Sequence, residues 1–257
     1  VDGAHKPAEV DKFGDYHEAN YSEKENWFVN FSYDGQTPTG VWTWDASYSY
    51  GENSVLSYAA NASDPRNRPP FGHYYETQTA QARLAYHGSI YDISGGLQWT
   101  EYDVDLTERV VGGGRKPSST TTNYGAYLMG RLFLLDESLV LSSALRYDYY
   151  NVSDDFKGRG LRKQMTDHNT TFDGLSPSFG VAYLPIDWLK LRANYTRGFR
   201  APSGRELVED RQYNFWGNPE NKAERSDNYE TGFDILTDSF NFSLTYFYSY
   251  TRDYIYQ

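Results

Sequence analysis

Strict two-residue alternation, interrupted by connections that are by turns short and long, constrains this chain more than any other feature. Trp27, Val29, Phe31 and Tyr33 fall on one side, and Phe28, Asn30 and Ser32 on the other. After a turn carrying Gly35, Pro38 and Gly40, Trp42, Trp44, Ala46, Tyr48 and Tyr50 alternate with Thr43, Asp45, Ser47 and Ser49, the pattern of a hairpin. The last such stretch is the clearest. Phe240, Phe242, Leu244, Tyr246, Tyr248 and Tyr250 line one side and Asn241, Ser243, Thr245 and Ser249 the other, with Phe247 the exception. A period of two is a strand period. Strands are expected at approximately residues 27–33, 41–50, 74–87, 89–103, 122–135, 139–150, 175–184, 188–197, 228–236 and 240–251.

Two architectures use such strands: a soluble sheet with its oily face in a core, or a membrane barrel with that face in lipid. About ten residues per strand is long for a soluble sheet and suits a tilted bilayer crossing. Short turns alternating with long loops, at Asn53 to His73, Val104 to Thr121, Asn151 to Gly174 and 198–227, follow the outer-membrane rule. The polar sides carry Asp45, Arg83, Asp92, Arg146, Lys190, Arg192, Glu230 and Asp234. A dry core would charge several kcal/mol for each of these ions, whereas a wet lumen would not. Tyrosines gather near strand ends (Tyr48, Tyr50, Tyr147, Tyr149, Tyr248, Tyr250), where a ring with one wet edge suits the lipid boundary.

Composition removes other classes. A net charge of -11 argues against a nucleic-acid partner. The absence of cysteine excludes disulfides, thiolate metal sites and a cysteine nucleophile. No apolar run is long enough for a transmembrane helix, and Val1 opens without a signal-peptide pattern; residues 1–25 read as a loop or leader. His5, His17, His73, His87 and His168 have no metal-ligand spacing, and no nucleophile-elbow motif supports a hydrolase, so no metal, cofactor or catalytic residue is assigned. The fold expected is all-β: an antiparallel up-and-down transmembrane β-barrel, with residues 1–257 forming part of one domain.

Several motifs then carry a resemblance. They are YTRGFRAPS from Tyr195 to Ser203, Glu206 with Leu207, Gly217 to Pro219, Glu224 with Ser226, and NYETG from Asn228 to Gly232. Upstream, Tyr124 to Tyr127 and then Arg146, Tyr147 and Asp148 look like paired strands ending in a "G-x-RYD" pattern, with Ala144 in place of its glycine. From about Thr121 onward the chain resembles TonB-dependent receptors of the Gram-negative outer membrane. The resemblance implies a 22-stranded barrel around an N-terminal plug. Neither plug nor TonB box is recognisable, so the chain is expected to be the middle to late part of such a barrel. It also implies a non-enzymatic receptor surrounded by outer-membrane lipid, which takes up a scarce ligand when the TonB-ExbB-ExbD complex pulls on the plug.

A ferric siderophore or similar metal chelate is the expected ligand. Phe199 to Pro202 match the first box of haem receptors, but residues 203–217 contain no histidine to serve as an axial ligand. Ligand contacts are expected from Tyr74, Tyr75, Tyr213, Phe215 and Trp216, which would stack on a planar group, and from Arg200 and Arg205, which would pair with an anionic chelate. Arg200 has a second reading, that it pins the strand end. The competing functions are a passive porin, a barrel hydrolase and a soluble glycan-binding sandwich.

Overall fold

A computed structural model describes residues 19–60, 71–107, 118–155, 168–207, 209–210 and 215–255. The strands are β1 (Ala19–Gln36), β2 (Trp42–Ala60), β3 (Phe71–His87), β4 (Tyr91–Thr107), β5 (Ser118–Leu134), β6 (Leu139–Asp155), β7 (His168–Ile186) and β8 (Leu189–Arg200). After a one-turn helix, α1 (Gly204–Leu207), come two short strands, β9 (Glu209–Asp210) and β10 (Phe215–Trp216), and then β11 (Glu224–Leu236) and β12 (Asn241–Arg252). Ten strands form one antiparallel sheet in sequence order, β1 to β8 followed by β11 and β12; β9 and β10 pair separately. This is the all-β, up-and-down arrangement that the alternation calls for.

The register puts every charged residue of the polar sides on one face. Asp45 pairs with Arg83, Asp92 with Arg131, and Lys190 with Asp234. The first two are ion pairs as well as register partners: Arg83 Nε lies 2.6 Å from Asp45 Oδ1, and Arg131 Nη2 lies 2.6 Å from Asp92 Oδ2. The opposite face exposes Trp27, Phe31, Leu97, Leu128, Leu145, Phe179, Leu244 and Tyr246. One sheet face is thus wet and ion-paired and the other oily, as a lumen and a lipid boundary require.

The strands run well past the residues that alternation marks. β3 spans 17 residues and β7 spans 19, against the 9 to 11 or so of a tilted crossing. The long connections are correspondingly shorter than expected, and β1 begins inside the stretch read as a leader. Backbone pairing needs no oily face; once a hairpin leaves the lipid band both faces meet water, and the sequence loses its parity while the ladder continues. A second departure is α1 with β9 and β10, in a stretch where only loop was expected.

Glycines in the motifs make room for arginines. A Cβ on Gly125 would lie 2.5 Å from Arg146 Nη2, and one on Gly232 would meet the Leu244 carbonyl and come within 3.4 Å of Arg192 Nη2. Over Gly125, Arg146 forks onto Asp148, Nε to Oδ2 at 2.8 Å and Nη2 to Oδ1 at 2.7 Å, and its Nη2 also donates to Gln98 at 3.1 Å. Beside Gly232, Arg192 bridges Glu230 at 2.6 Å and Asp234 at 3.3 Å. The motif residues are therefore parts of ion-paired networks on the polar face.

Candidate functional site

The segment between β8 and β11 begins with Pro202 and Ser203, and a proline followed by S-x-x-E favours a helix start. Ser203 and Glu206 form the reciprocal contact of a capping box: the Ser203 amide donates to Glu206 Oε2 at 2.8 Å, and its hydroxyl does so at 3.0 Å. α1 packs against β5 and β6. Leu207 on α1, Val152 on β6 and Pro202 are fully buried, so the tightest packing among the described residues sits at the long-loop end of the sheet.

Arg200 ties this loop to the strands. Its Nη1 donates to Glu206 Oε1 and Oε2 at 3.1 and 2.9 Å, and its Nε donates to Glu224 Oε2 at 2.7 Å. Glu224 Oε1 in turn accepts the Ile255 amide at 2.7 Å, which draws in the chain beyond β12. The Glu206 carbonyl accepts from the Asn218 amide and from Asn221 Nδ2, both at 2.8 Å. Arg200 and Asn218, from two of the motifs, thus converge on Glu206. Burial pushes the Glu206 carboxyl upward, but the bonds from Arg200 and Ser203 outweigh it and hold the group below the ordinary carboxylate range.

The expected ligand contacts are separated by this geometry. Tyr75 pairs with Asn53 and Val104 on the polar face, and its ring stacks on Tyr102 with centroids 6.0 Å apart. Tyr74 belongs to the opposite face, in register with Ser54 and Asp105. Arg200 is engaged with two carboxylates, Glu206 and Glu224. Arg205 lies in α1, and Phe215 and Trp216 form β10 in register with Asp210 and Glu209; Tyr213 lies outside the described residues. Tyr102 and Glu206 escaped the sequence reading as site residues. Tyr102 was legible in principle, because it shares the parity of Gln98 and Thr100.

The family profile described as TonB dependent receptor-like, beta-barrel matches residues 4–257. Among curated proteins, "Heme/hemopexin utilization protein C" from Haemophilus influenzae is 31% identical over 157 residues, 54% of this chain and 20% of that protein. A "Hemin receptor" from Yersinia pestis is 28% identical over 149 residues, 50% of this chain and 21% of that protein. The matched part thus spans about a fifth of the length of these relatives. Among solved structures, the FrpB iron transporter from Neisseria meningitidis shares the fold with a TM-score of 0.67 at 19% identity, over 89% of this chain and 36% of that one. With the profile running over nearly every residue and ten antiparallel strands in sequence order to match it, the chain belongs to the TonB-dependent receptor β-barrel family of the bacterial outer membrane.

Proposed function

We propose that this chain is part of a receptor that takes up an iron chelate across the outer membrane, drawing energy from the TonB-ExbB-ExbD complex and performing no catalysis of its own. Family membership is the observation that carries the reading. The α1 loop, anchored over the polar face by Arg200, favours an occluded barrel over an open passive pore.

Haem is the favoured form of the chelate, because the matched relatives from Haemophilus influenzae and Yersinia pestis are named for heme and hemin. The Tyr75 and Tyr102 stack offers a planar surface on the polar face for such a ring system. With no histidine between residues 203 and 217, an axial ligand would have to come from elsewhere. His73, the third residue of β3, and His168, the first of β7, lie at the long-loop ends of these strands and are the positions to test. A ferric siderophore is the second reading, supported by that same missing histidine.

Titration of the full-length receptor with haem, followed by its absorption band, distinguishes the two. Saturable binding weakened about three- to tenfold in Tyr75→Ala with Tyr102→Ala is expected for haem stacking. Binding of ferric siderophores alone shifts the assignment to the second reading. Uptake that persists without TonB overturns the coupling.

A further inference from the structure

The lipid-facing side of β8, β11 and β12 is graded by height. Cross-strand partners form rows, from Leu191, Phe233 and Leu244 near the short-turn end, through Ala193, Thr231 and Tyr246, to Tyr195, Tyr229 and Tyr248. The tyrosine rings of the upper row touch in series, with centroids 5.1 Å apart between Tyr195 and Tyr229 and 6.4 Å between Tyr229 and Tyr248. Below them the small side chains of Ala193 and Thr231 leave an open groove of about 460 Å³, walled by Val181, Tyr183, Phe233 and Tyr246. Its walls are almost wholly apolar.

One row above the tyrosines, about 7 Å along the strands, stand Arg197 and Asp227, and Arg225 with Arg252 lie one row further. Asp227 accepts from Arg197 Nε at 2.8 Å, from Arg252 Nη2 at 2.6 Å and from the Tyr195 hydroxyl at 2.7 Å. The Asp227 side chain is only 8% exposed, whereas those of Arg197 and Arg252 are 35% and 53% exposed. The carboxylate thus lies beneath two guanidiniums that present their remaining N–H groups outward. Arg225, also exposed, stands opposite Arg252 in the register. Three arginines against one aspartate leave a local excess of two positive charges on a chain whose net charge is -11. Toward the long-loop ends of β2 to β4 the outward face has the opposite sign, with Glu52, Glu76, Glu101 and Asp103.

We propose that this surface is a binding site for one phosphate-bearing lipid of the outer leaflet, its phosphate held by Arg197, Arg225 and Arg252 and an acyl chain laid in the groove beside Ala193. Charge complementarity picks the headgroup, because guanidinium forks suit phosphate oxygens. Depth picks a lipid: the arginines stand just outside an aromatic row, where headgroups lie, and the groove lies just inside it, where chains lie. Among the described residues, the acidic outward face of β2 to β4 offers no comparable site.

Native mass spectrometry of the full-length receptor, with lipid A as the titrated probe, tests the site. Lipid A is expected to be retained saturably, and its dephosphorylated form much less. Arg225→Gln with Arg252→Gln leaves Arg197 to hold Asp227, and retention is expected to fall about thirtyfold. Ala193→Phe fills the groove without touching an arginine and should also lower retention, so the site remains testable if the double variant fails to insert. Arg83→Gln, on the polar face, should retain lipid as the unaltered receptor does. Equal retention of the dephosphorylated lipid, unchanged retention in either site variant, or displacement of lipid A by an equal concentration of inorganic phosphate overturns the proposal.

Discussion

Arg200 and Glu206 meet across the long-loop end of the sheet, Nη1 to Oε2 at 2.9 Å, with the arginine side chain 46% exposed and the carboxylate only 6%. The pair turns a run of motif residues into a clasp. Arg200 reaches Glu224 on β11 with its Nε at the same time, so one planar cation joins the end of β8, the loop and the start of β11.

Arg200→Lys should open that clasp. A lysine ammonium cannot hold a planar fork on one carboxylate while reaching a second. Charge-assisted bonds of this kind contribute about 1.5–3 kcal/mol each, so the loop should open locally at about that cost without the strands unfolding. Limited proteolysis of the full-length receptor should show cleavage within residues 201–223 that the unaltered protein resists. An unchanged cleavage pattern would mean that the loop is held by its buried apolar contacts alone.

Acid should have the same effect as the mutation. Glu206 has its carboxyl held below the ordinary carboxylate range by Arg200 and Ser203, so the folded state favours the ionised form. Its contribution is complete above that range and is lost as pH falls through the lower value of the folded protein. The protection of the Asn218 amide, which donates to the Glu206 carbonyl, measured as its exchange relative to the unprotected rate at each pH, should be constant from neutral pH down to about 5 and fall as the pH drops further. Glu206→Gln should remove that acid transition; its persistence would place the titrating group elsewhere.

On the polar face, Arg146 should matter more than Arg131. Asp148 has a side chain 8% exposed, so Arg146→Met strands a buried carboxylate with Asn123 as its remaining donor, a loss of about 3 kcal/mol. Asp92 is more exposed and lies within 3.6 Å of His87, and Arg131→Met should cost about 1 kcal/mol or less. Thermal unfolding of the full-length receptor in detergent should rank them in that order. Equal shifts would show that water reaches Asp148.

The turn between β5 and β6 places three successive non-glycine residues in left-handed backbone, Leu135 at φ 53°, Asp136 at 52° and Glu137 at 68°. Each costs about 1–2 kcal/mol for an L-residue. Glu137→Gly relieves one of them but gives back about 0.4–1 kcal/mol of unfolded-chain entropy, for a net gain on the order of 0.5–1 kcal/mol. The same melting experiment should record a small upward shift. A downward shift would mean that the Glu137 side chain stabilises the turn by more than its backbone strain.

Alternation gave the strands, their order and the assignment of faces, because the side-chain period of two is local and the lipid band enforces it, and the connection lengths and charged sides then favoured a barrel over a sandwich. Trp42, Trp44, Tyr48 and Tyr50 could only share one side, and Asp45 could only face the other. Parity ends where lipid ends, so the sequence made two strands too short: the one expected to end at Tyr150 continues in β6 to Asp155, and the one expected to start at Leu175 begins in β7 at His168. It marked Arg200 and Asn218 as motif residues without showing that both converge on Glu206. It also set Tyr74 and Tyr75 together, although adjacent residues of a strand must part to opposite faces.

The amino-acid order determined that this chain makes oily-and-wet ribbons and that they lie in an outer membrane. Only the tertiary arrangement decided which charges neighbour one another: that Arg192 spans from Glu230 to Asp234, that Arg197 and Arg252 cover Asp227, and that α1 sits on β5 and β6. Periodicity is a property of neighbours along the chain, whereas an ion pair between residues 25 or 38 positions apart exists only once register has been set.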